Sequence, residues 1–310
     1  MNLFLLAAGL GTRLQPYTLQ HPKPTIPFLN VPMGLYQFQY LRHLTSPITT
    51  SVVNTHHLPE QVEKLYLTQP YMRLSPYFSH ENTILGSAGG LKLASAYMTS
   101  NQPILMMNAD EVYFTQQKDF LNELLLEHKK SQALATLVVI KHPEAGKKFG
   151  AISCDGRLVK HISKTLISPN LVPWHYIGVM MISWSVLGLI PDHQETNIFY
   201  DILNKHLDKV RIFPLAAEWY ETGNKKDLLN ASEIVLSQIG NYKGLPDFIN
   251  EYDPSDVIST PSVTGLISQS QKVDAKNLKG LVCISQSAKI KADQAFENVV
   301  CFEDQIIKHD

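Results

Sequence analysis

Short apolar runs alternate with amphipathic stretches along the first 240 residues. The runs Leu3–Leu6 and Ile104–Met107 contain only large apolar side chains, which is typical of strands buried on both faces. Stretches such as Asp119–Lys129 instead place apolar residues at helical spacing. Further helices are predicted over 35–44, from 59 onward, over 197–207 and over 227–239, and further strands over 51–54, 134–140 and 179–184. This alternation predicts an α/β fold with a layered, largely parallel sheet and ligands at the carboxyl ends of its strands.

The pattern changes in the second half of the chain. Phe149–Ser153 and Arg157–Val159 flank Asp155-Gly156, a sequence typical of a hairpin turn. Residues 240–260 contain several glycines and prolines and are interpreted as a linker. We therefore predict a large domain over 1–239, referred to below as the catalytic domain for the motifs that it contains, and a smaller domain over 240–310.

Large apolar residues recur at every sixth position near the C-terminus: Leu278, Ile284, Ile290, Phe296 and Phe302. Such hexads predict a short left-handed parallel β-helix, and the alternative is a set of ordinary strands. Because about five hexads give fewer than two coils, this segment is expected to pack on the catalytic domain or on a partner subunit. The interpretation therefore includes a homo-oligomer formed through the C-terminal segment.

Composition excludes several classes of protein. The 310 residues carry a formal net charge of −1, so nucleic acid is not an expected partner. Three widely spaced cysteines indicate neither a disulfide framework nor a metal-binding motif, and reduced thiols suit a cytoplasmic protein. The first apolar run is too short for a signal peptide, and no run approaches the roughly 20 apolar residues of a membrane-spanning helix.

The residues after the first strand indicate phosphate chemistry. Residues 7–11 include two alanines and two glycines, so that backbone N–H groups can approach an anion. Arg13 adds a planar, permanently charged guanidinium that suits phosphate oxygens. Lys23 stands between two prolines, which limit where its ammonium group points. Neither the P-loop nor the dinucleotide glycine spacing is present, and together these features predict a triphosphate site.

Residues 6–18 read LAAGLGTRLQPYT and residues 22–27 read PKPTIP. These two stretches resemble the signature of sugar-1-phosphate nucleotidylyltransferases, also called nucleotide-sugar pyrophosphorylases, at every fixed position. The resemblance implies a Rossmann-like nucleotidyltransferase domain in which Arg13 and Lys23 are catalytic. The implied substrates are a nucleoside triphosphate and a sugar 1-phosphate.

A second glycine-rich stretch, LGSAGGL at 85–91, is similar to the segment that lies against the base and ribose in this family, with serine in place of threonine. Small residues there let the backbone meet the edge of a flat base. Together with the first loop, the resemblance assigns these residues to nucleotide binding: Leu6, Ala8, Gly9, Gly11, Thr12, Glu81, Ser87, Ala88, Gly89, Gly90 and Asn108.

Metal and sugar ligands are implied by shorter motifs. Asn108-Ala109-Asp110 resembles the family's N-G-D, whose aspartate binds Mg²⁺, and carboxylate and phosphate oxygens suit that ion. Trp219–Asn224 resembles the W-x-D-x-G-T motif, with Glu221 in the position of the second ligand. Where the family has an E-K-P motif, this chain has Ser163-Lys164-Thr165 and keeps only the lysine. Sugar-phosphate binding is assigned to Gly150, Lys164, Tyr176 and Gly178.

The overall pattern looks most like that of bacterial mannose-1-phosphate guanylyltransferases, which implies GTP and mannose 1-phosphate as substrates. UTP with N-acetylmuramate 1-phosphate, or GTP with a heptose 1-phosphate, are close alternatives within the same reaction class. The replacements Ala109 and Glu221, and the lost glutamate before Lys164, motivate a hypothesis of another class. In that hypothesis the protein is a regulatory homologue that binds nucleotide-sugars with little turnover.

Overall fold

The computed structural model describes residues 1–68, 75–168, 170–291 and 293–308. Short 3-10 turns separate many of its helices and strands. The strands are β1 (Asn2–Leu6), β2 (Pro27–Phe28), β3 (Val31–Pro32), β4 (Thr50–Thr55), β5 (Tyr77–His80), β6 (Ile104–Asn108), β7 (Val112–Phe114), β8 (Ala135–Ile140), β9 (Ala151–Asp155), β10 (Leu158–Ser163), β11 (Val172–Ile182), β12 (Val210–Pro214), β13 (Glu218–Tyr220), β14 (Ser255–Thr260), β15 (Val263–Ser268), β16 (Leu278–Ile284), β17 (Phe296–Phe302) and β18 (Gln305–Lys308). The α-helices are α1 (Phe38–Leu41), α2 (Pro59–Leu67), α3 (Gly86–Ala94), α4 (Phe120–Ser131), α5 (Lys225–Ser237) and α6 (Leu245–Tyr252).

The chain divides into two compact units, and both are discontinuous in sequence. The first unit comprises Met1–Gly9, Gln37–Ala109 and Gln117–Ala217. The second comprises Leu10–Tyr36, Asp110–Gln116 and Glu218–Asp310. The division into domains over 1–239 and 240–310 remains a prediction. The predicted linker is wrong as a description of 240–260, because α6 and β14 lie within it.

A nine-stranded sheet forms the centre of the first unit, in the order β5-β4-β1-β6-β11-β8-β12-β10-β9. Strands β5, β4, β1 and β6 run parallel, as do β8 and β12. Strand β11 is antiparallel to both β6 and β8. The sheet is therefore mixed, and the prediction of a largely parallel sheet was only partly correct. A continuous apolar run favours a parallel strand because it indicates burial on both faces, but the second half of β11 is equally buried although this strand is antiparallel.

Most of the predicted helices are present, and α2, α4 and α5 begin within two residues of the expected positions. The stretch 35–44 contains only the four-residue α1. All residues from 36 to 41 are buried, so packing rather than amphipathic periodicity determines this backbone. The stretch 197–207 begins with a π-helical turn, Ile198–Ile202, and continues as 3-10 turns.

The second unit contains a five-stranded sheet in the order β14-β15-β16-β17-β18. Strands β15, β16 and β17 are parallel, and β14 and β18 are antiparallel additions at the edges. Leu278 pairs with Phe296, an offset of about three hexads. Both side chains pack in one apolar cluster with Ile284. After Lys279 the register shifts by one residue, so that Ile284 lies opposite Cys301 and not Phe302. The predicted hexad register therefore agrees with the pairing only at the start of β16 and β17, and a left-handed β-helix stays a prediction.

None of the helices in the described part of the chain has the length and apolar character that crossing a membrane requires.

His128 of α4 provides a test of packing in the first unit. Its ring is buried, Nδ1 lies 2.9 Å from Thr136 Oγ1, and Nε2 lies 3.1 Å from Ser183 Oγ. Burial lowers the pKa of His128 to about 4. In the unfolded chain the pKa of a histidine is about 6.5, so the unfolded state binds this proton more readily than the folded state. The free energy of unfolding should therefore decrease as the pH falls from about 6.5 towards about 4.

We predict that His128→Gln reduces this acid-dependent loss of stability, by an amount that approaches about 3 kcal/mol at pH 4. Urea unfolding at several pH values in that range gives the free energy of unfolding, and its slope against pH is compared between the variant and the parent protein. The exposed His193→Gln variant is the matched control and should retain the slope of the parent protein. Equal slopes for His128→Gln and the parent protein would contradict the prediction.

Candidate functional site

The glycine-rich loop after β1 enters the second unit at Leu10. Gly11 has φ 61°, a conformation that favours glycine. A Cβ added there would lie 2.9 Å from Thr18 Cγ2 and 3.2 Å from Lys23 Cβ, so a larger residue would also disturb the packing around the lysine. Thr18 Oγ1 donates to the carbonyl of Gly11 at 3.0 Å. Thr12 and Arg13 follow in a 3-10 turn, which places the predicted triphosphate residues on a fixed backbone.

Lys23 is a buried cation, although lysine is usually exposed. Only 8% of its surface is exposed, and its Nζ donates to Asp110 Oδ2 at 2.8 Å. Burial alone would lower its pKa. The neighbouring carboxylates of Asp110, Glu111 and Glu221 outweigh that effect and hold the pKa of Lys23 above its usual value. Lys23 therefore keeps its charge throughout the physiological range, as binding to phosphate requires.

Arg13 forms a second ion pair, which is much more open. Its side chain is 64% exposed, and Nη1 lies 3.3 Å from Glu221 Oε2. Glu221 Oε1 accepts the N–H of Gly223 at 2.6 Å. A Cβ on Gly223 would collide with the guanidinium of Arg13 and the carboxylate of Glu221. The glycine of the tryptophan-led motif thus leaves room for the pair.

Pairing of β7 with β13 holds the two acidic motifs of the second unit in register. Trp219 is opposite Tyr113 in this two-stranded ladder. The indole Nε1 of Trp219 donates to Glu111 Oε2 at 2.6 Å. Glu111 was not predicted as a site residue, although its position directly after Asp110 was a usable signal. The tryptophan therefore anchors the acidic stretch that carries the proposed metal ligands.

The donor set of this cluster suits a divalent cation. Two cations, Arg13 and Lys23, stand against the carboxylates of Asp110, Glu111 and Glu221, which leaves a surplus of negative charge. Asp110 is partly exposed, and Lys23 contacts only one of its two oxygens. Mg²⁺ commonly uses one or two protein carboxylates together with phosphate oxygens and water. Asp110 and Glu221 therefore fit the chemistry of a magnesium site.

A separate buried network supports the glycine-rich segments of the first unit. Asn54 Oδ1 accepts the N–H groups of Ala7 at 2.7 Å and Ala8 at 3.3 Å. Its Nδ2 donates to Glu81 Oε1 at 2.6 Å, and Glu81 Oε2 accepts the N–H of Leu85 at 2.9 Å. Glu81 is 1% exposed. Its carboxylate thus organises the two loops, and its predicted contact with nucleotide stays a prediction.

The first turn of α3 contains the segment predicted to read the base. Ser87 Oγ accepts the N–H of Ile198 at 2.9 Å, and the N–H of Ala88 donates to the carbonyl of Thr196 at 2.9 Å. A Cβ on Gly89 would collide with the backbone of Gln194, and one on Gly90 with Glu81. These small residues permit close packing within the unit. Sequence reasoning had assigned them only to ligand contact.

A cavity of about 170 Å³ lies in the first unit, between β9, β10, β11 and the 198–202 turn. Its lining includes Gly150 and Tyr176, which were predicted to bind sugar phosphate, together with His175. Burial lowers the pKa of His175 to about 4, so the ring is neutral at pH 7. Lys164 is exposed on the chain next to the cavity, and Gly178 is buried in an irregularity of β11.

The remaining predicted residues lie at strand ends of the first unit. Leu6 and Asn108 end β1 and β6, which pair in parallel with these two residues opposite each other. The carbonyl of Leu6 accepts the N–H of Ala109 at 3.1 Å, and that of Asn108 accepts Gln37 Nε2 at 3.1 Å. Gly9 has open space where a Cβ would stand. Sequence reasoning missed the contacts of Asn54 with the loop after β1 and with Glu81, and its place after the apolar pair of β4 was the available signal.

Comparison with known proteins agrees with this arrangement of motifs. Residues 3–238 match the family model described as nucleotidyl transferase. The chain belongs to the nucleotidyl transferase family. The resemblance inferred from the signature at 6–27 is thereby confirmed.

Curated relatives of this nucleotidyl transferase include two fungal proteins. Mannose-1-phosphate guanyltransferase 2 of Candida glabrata is 30% identical over 246 residues, covering 77% of this chain and 66% of the relative. The mannose-1-phosphate guanyltransferase of Schizosaccharomyces pombe is 30% identical over 250 residues, covering 78% of this chain and 66% of the relative. The chain thus spans slightly less than two thirds of the length of these relatives.

The nucleotidyl transferase fold is also seen in solved structures. A UDP-glucose pyrophosphorylase complexed with UDP-glucose superposes with a TM-score of 0.62 at 16% identity, covering 76% of this chain and 98% of the other. At this identity the likeness shows the fold alone.

We predict that Asn54→Ala lowers the free energy of unfolding by about 2–4 kcal/mol, because it leaves buried groups of Glu81 and Ala7 without their hydrogen-bond partner. Urea denaturation measures the change. Asn82→Ala is the control, because Asn82 is exposed, and it should change the free energy of unfolding by less than about 0.5 kcal/mol. Equal stability of the two variants would show that the network contributes little.

We predict that Gly223→Ala weakens binding of a nucleoside triphosphate by about tenfold or more, since displacement of Arg13 removes a charge-assisted contact. Isothermal titration calorimetry with a non-hydrolysable triphosphate measures the affinity. Gly240→Ala is the control, because open space surrounds the position of its Cβ. Unchanged affinity in Gly223→Ala would contradict the prediction.

Proposed function

We propose that this protein transfers a guanylyl group from GTP to mannose 1-phosphate, forming GDP-mannose and pyrophosphate. A phosphate oxygen of mannose 1-phosphate attacks the α-phosphorus of GTP, and the bond between the α-phosphorus and the bridging oxygen to the β-phosphorus breaks. The observation that carries the proposal is the pairing of Arg13 with Glu221 and Lys23 with Asp110. The relatives named mannose-1-phosphate guanyltransferases support the choice of substrates.

The attacking phosphate is already ionised at neutral pH, so the reaction needs no strong general base. Catalysis then depends on alignment and on neutralising phosphate charge. Arg13 is exposed enough to hold the β- and γ-phosphates and the departing pyrophosphate. Lys23 is proposed to neutralise the α-phosphoryl oxygens, because burial and Asp110 hold its ammonium group in a fixed position.

Asp110 and Glu221 would hold Mg²⁺ in this proposal. When bound, that ion would neutralise charge on the phosphate oxygens and help align the reactants. In the structure each oxygen of Glu221 accepts one hydrogen bond, Oε2 from Arg13 and Oε1 from the N–H of Gly223, and a carboxylate oxygen has further lone-pair capacity for a metal ion. Release of Arg13 towards the triphosphate would make Oε2 more available to that ion.

The cavity beside β9, β10 and β11 is the proposed sugar subsite of the first unit. Tyr176 and the neutral His175 are polar residues in its lining, while Ile152 and Phe199 offer apolar surface to a ring. Lys164, exposed beside the cavity, is proposed to pair with the sugar phosphate.

We predict that Arg13→Ala lowers kcat by about 10²–10³ because it removes one preorganised charge. Pyrophosphate release from GTP and mannose 1-phosphate, measured with and without EDTA, is the assay. Arg157→Ala provides a matched control, because Arg157 is 63% exposed and pairs with Glu127 at 2.9 Å outside the cluster. Full turnover in Arg13→Ala would exclude the proposed role.

A second candidate is a regulatory protein that binds nucleotide-sugars with little turnover. The observation that favours it is Glu221, whose two oxygens are both engaged and which stands where the family has aspartate. Assays with GTP, UTP, dTTP, CTP and ATP against mannose, N-acetylmuramate and heptose 1-phosphates separate the candidates. Binding without pyrophosphate release from any pair would favour the regulatory protein, and release with another pair would change the substrate assignment.

A further inference from the structure

A histidine outside the proposed catalytic cluster faces two carboxylates in the second unit. His21 is 6% exposed, but its buried Nε2 makes no hydrogen bond to any residue that the structure describes. This nitrogen lies 3.6 Å from Asp304 Oδ1, and Nδ1 lies 3.7 Å from Glu303 Oε2. Both separations exceed the usual length of a hydrogen bond. A buried polar group without a partner needs a physical explanation.

The three side chains are held on ordered elements. Glu303 and Asp304 form the turn between β17 and β18. Phe302, the last residue of β17, packs against the His21 ring in an edge-on arrangement with centroids 5.4 Å apart. The hairpin is tied to the same stretch of chain by two further hydrogen bonds, from Gln305 Nε2 to Gln20 Oε1 at 2.8 Å and from Tyr17 Oη to the carbonyl of Ile306 at 3.3 Å. These contacts limit the movement of His21 relative to the two carboxylates.

The donor atoms match the needs of a divalent transition metal. One nitrogen of His21 and one oxygen from each carboxylate lie within 4.8 Å of one another. Tetrahedral zinc with ligand distances of about 2.0–2.2 Å separates neighbouring ligand atoms by about 3.3–3.6 Å, close to the 3.6 Å between His21 and Asp304. Two carboxylates and a neutral imidazole also balance the charge of a divalent ion.

We propose that His21, Glu303 and Asp304 form a binding site for Zn²⁺ or a similar divalent transition metal, with water as the remaining ligand. Imidazole nitrogen favours such ions over Mg²⁺ and Ca²⁺, which prefer oxygen ligands. The site is distinct from Asp110 and Glu221. It joins the C-terminal hairpin to the chain two residues before Lys23, so that the metal stabilises the segment that carries this lysine.

The test is titration of the metal-free 310-residue chain with Zn²⁺, in excess Mg²⁺ and without substrates, by isothermal titration calorimetry. One equivalent is expected to bind and to raise the Tm. Replacement by Co²⁺ is expected to give the visible absorption of a four-coordinate site. Glu303→Gln combined with Asp304→Asn should weaken binding by more than about tenfold, because ligands rather than their supporting partners are lost.

Glu297→Gln is the matched control, since Glu297 is an exposed carboxylate on the same sheet that pairs with Lys279 instead. This variant should bind Zn²⁺ as the parent protein does. His21→Gln should lose binding together with the double variant. The proposal is overturned if the parent protein takes up no stoichiometric Zn²⁺, or if the double variant binds it with the affinity of the parent. Because no substrate is present, neither result bears on the proposed nucleotidyl transfer.

Discussion

Burial of the Lys23 ammonium group is the constraint on which the second unit depends. A buried charge is unfavourable unless a partner of opposite charge is close and hydrogen-bonded. Asp110 meets that need at 2.8 Å, although it is distant from Lys23 in the sequence. The ion pair therefore joins two separate stretches of chain, and pairing of β7 with β13 adds the stretch that contains Glu221.

The local parts of this arrangement could be predicted from the sequence. The apolar run of β1, the small residues after it and the two nearby cations all fall within 30 residues, so their order alone indicated phosphate chemistry. The carboxylate partner of each cation could not be predicted, because it depends on contacts between residues that are distant in the sequence. Glu111 illustrates the limit, because its role depends on the strand pairing that brings Trp219 within hydrogen-bond distance. The direction of β11 was also not predictable. Its apolar residues reflect burial on both faces of the sheet, which parallel and antiparallel strands can share.

Glu81 and Asn54 show why residue type and spacing do not settle a role. The glycine-rich turn and Glu81 were assigned to nucleotide binding, yet the carboxylate is buried and bonded to Asn54 and to the backbone of Leu85. Asn54 had been given no role, but its amide group connects Glu81 to the loop after β1. A motif records which residues occur together, and only the fold shows whether a side chain faces a ligand or supports the backbone that does.

The two ion pairs differ in a way that suits successive tasks in nucleotidyl transfer. The side chain of Arg13 is 64% exposed, although that of its partner Glu221 is only 15% exposed. The guanidinium is therefore open to an incoming ligand, and the charge of a triphosphate can compete with Glu221 for it. The pair between Lys23 and Asp110 is much less exposed, and breaking it would leave an uncompensated buried charge. In the proposed transfer, Arg13 would therefore move with the phosphates that leave. Lys23 would remain in place at the phosphorus that is transferred.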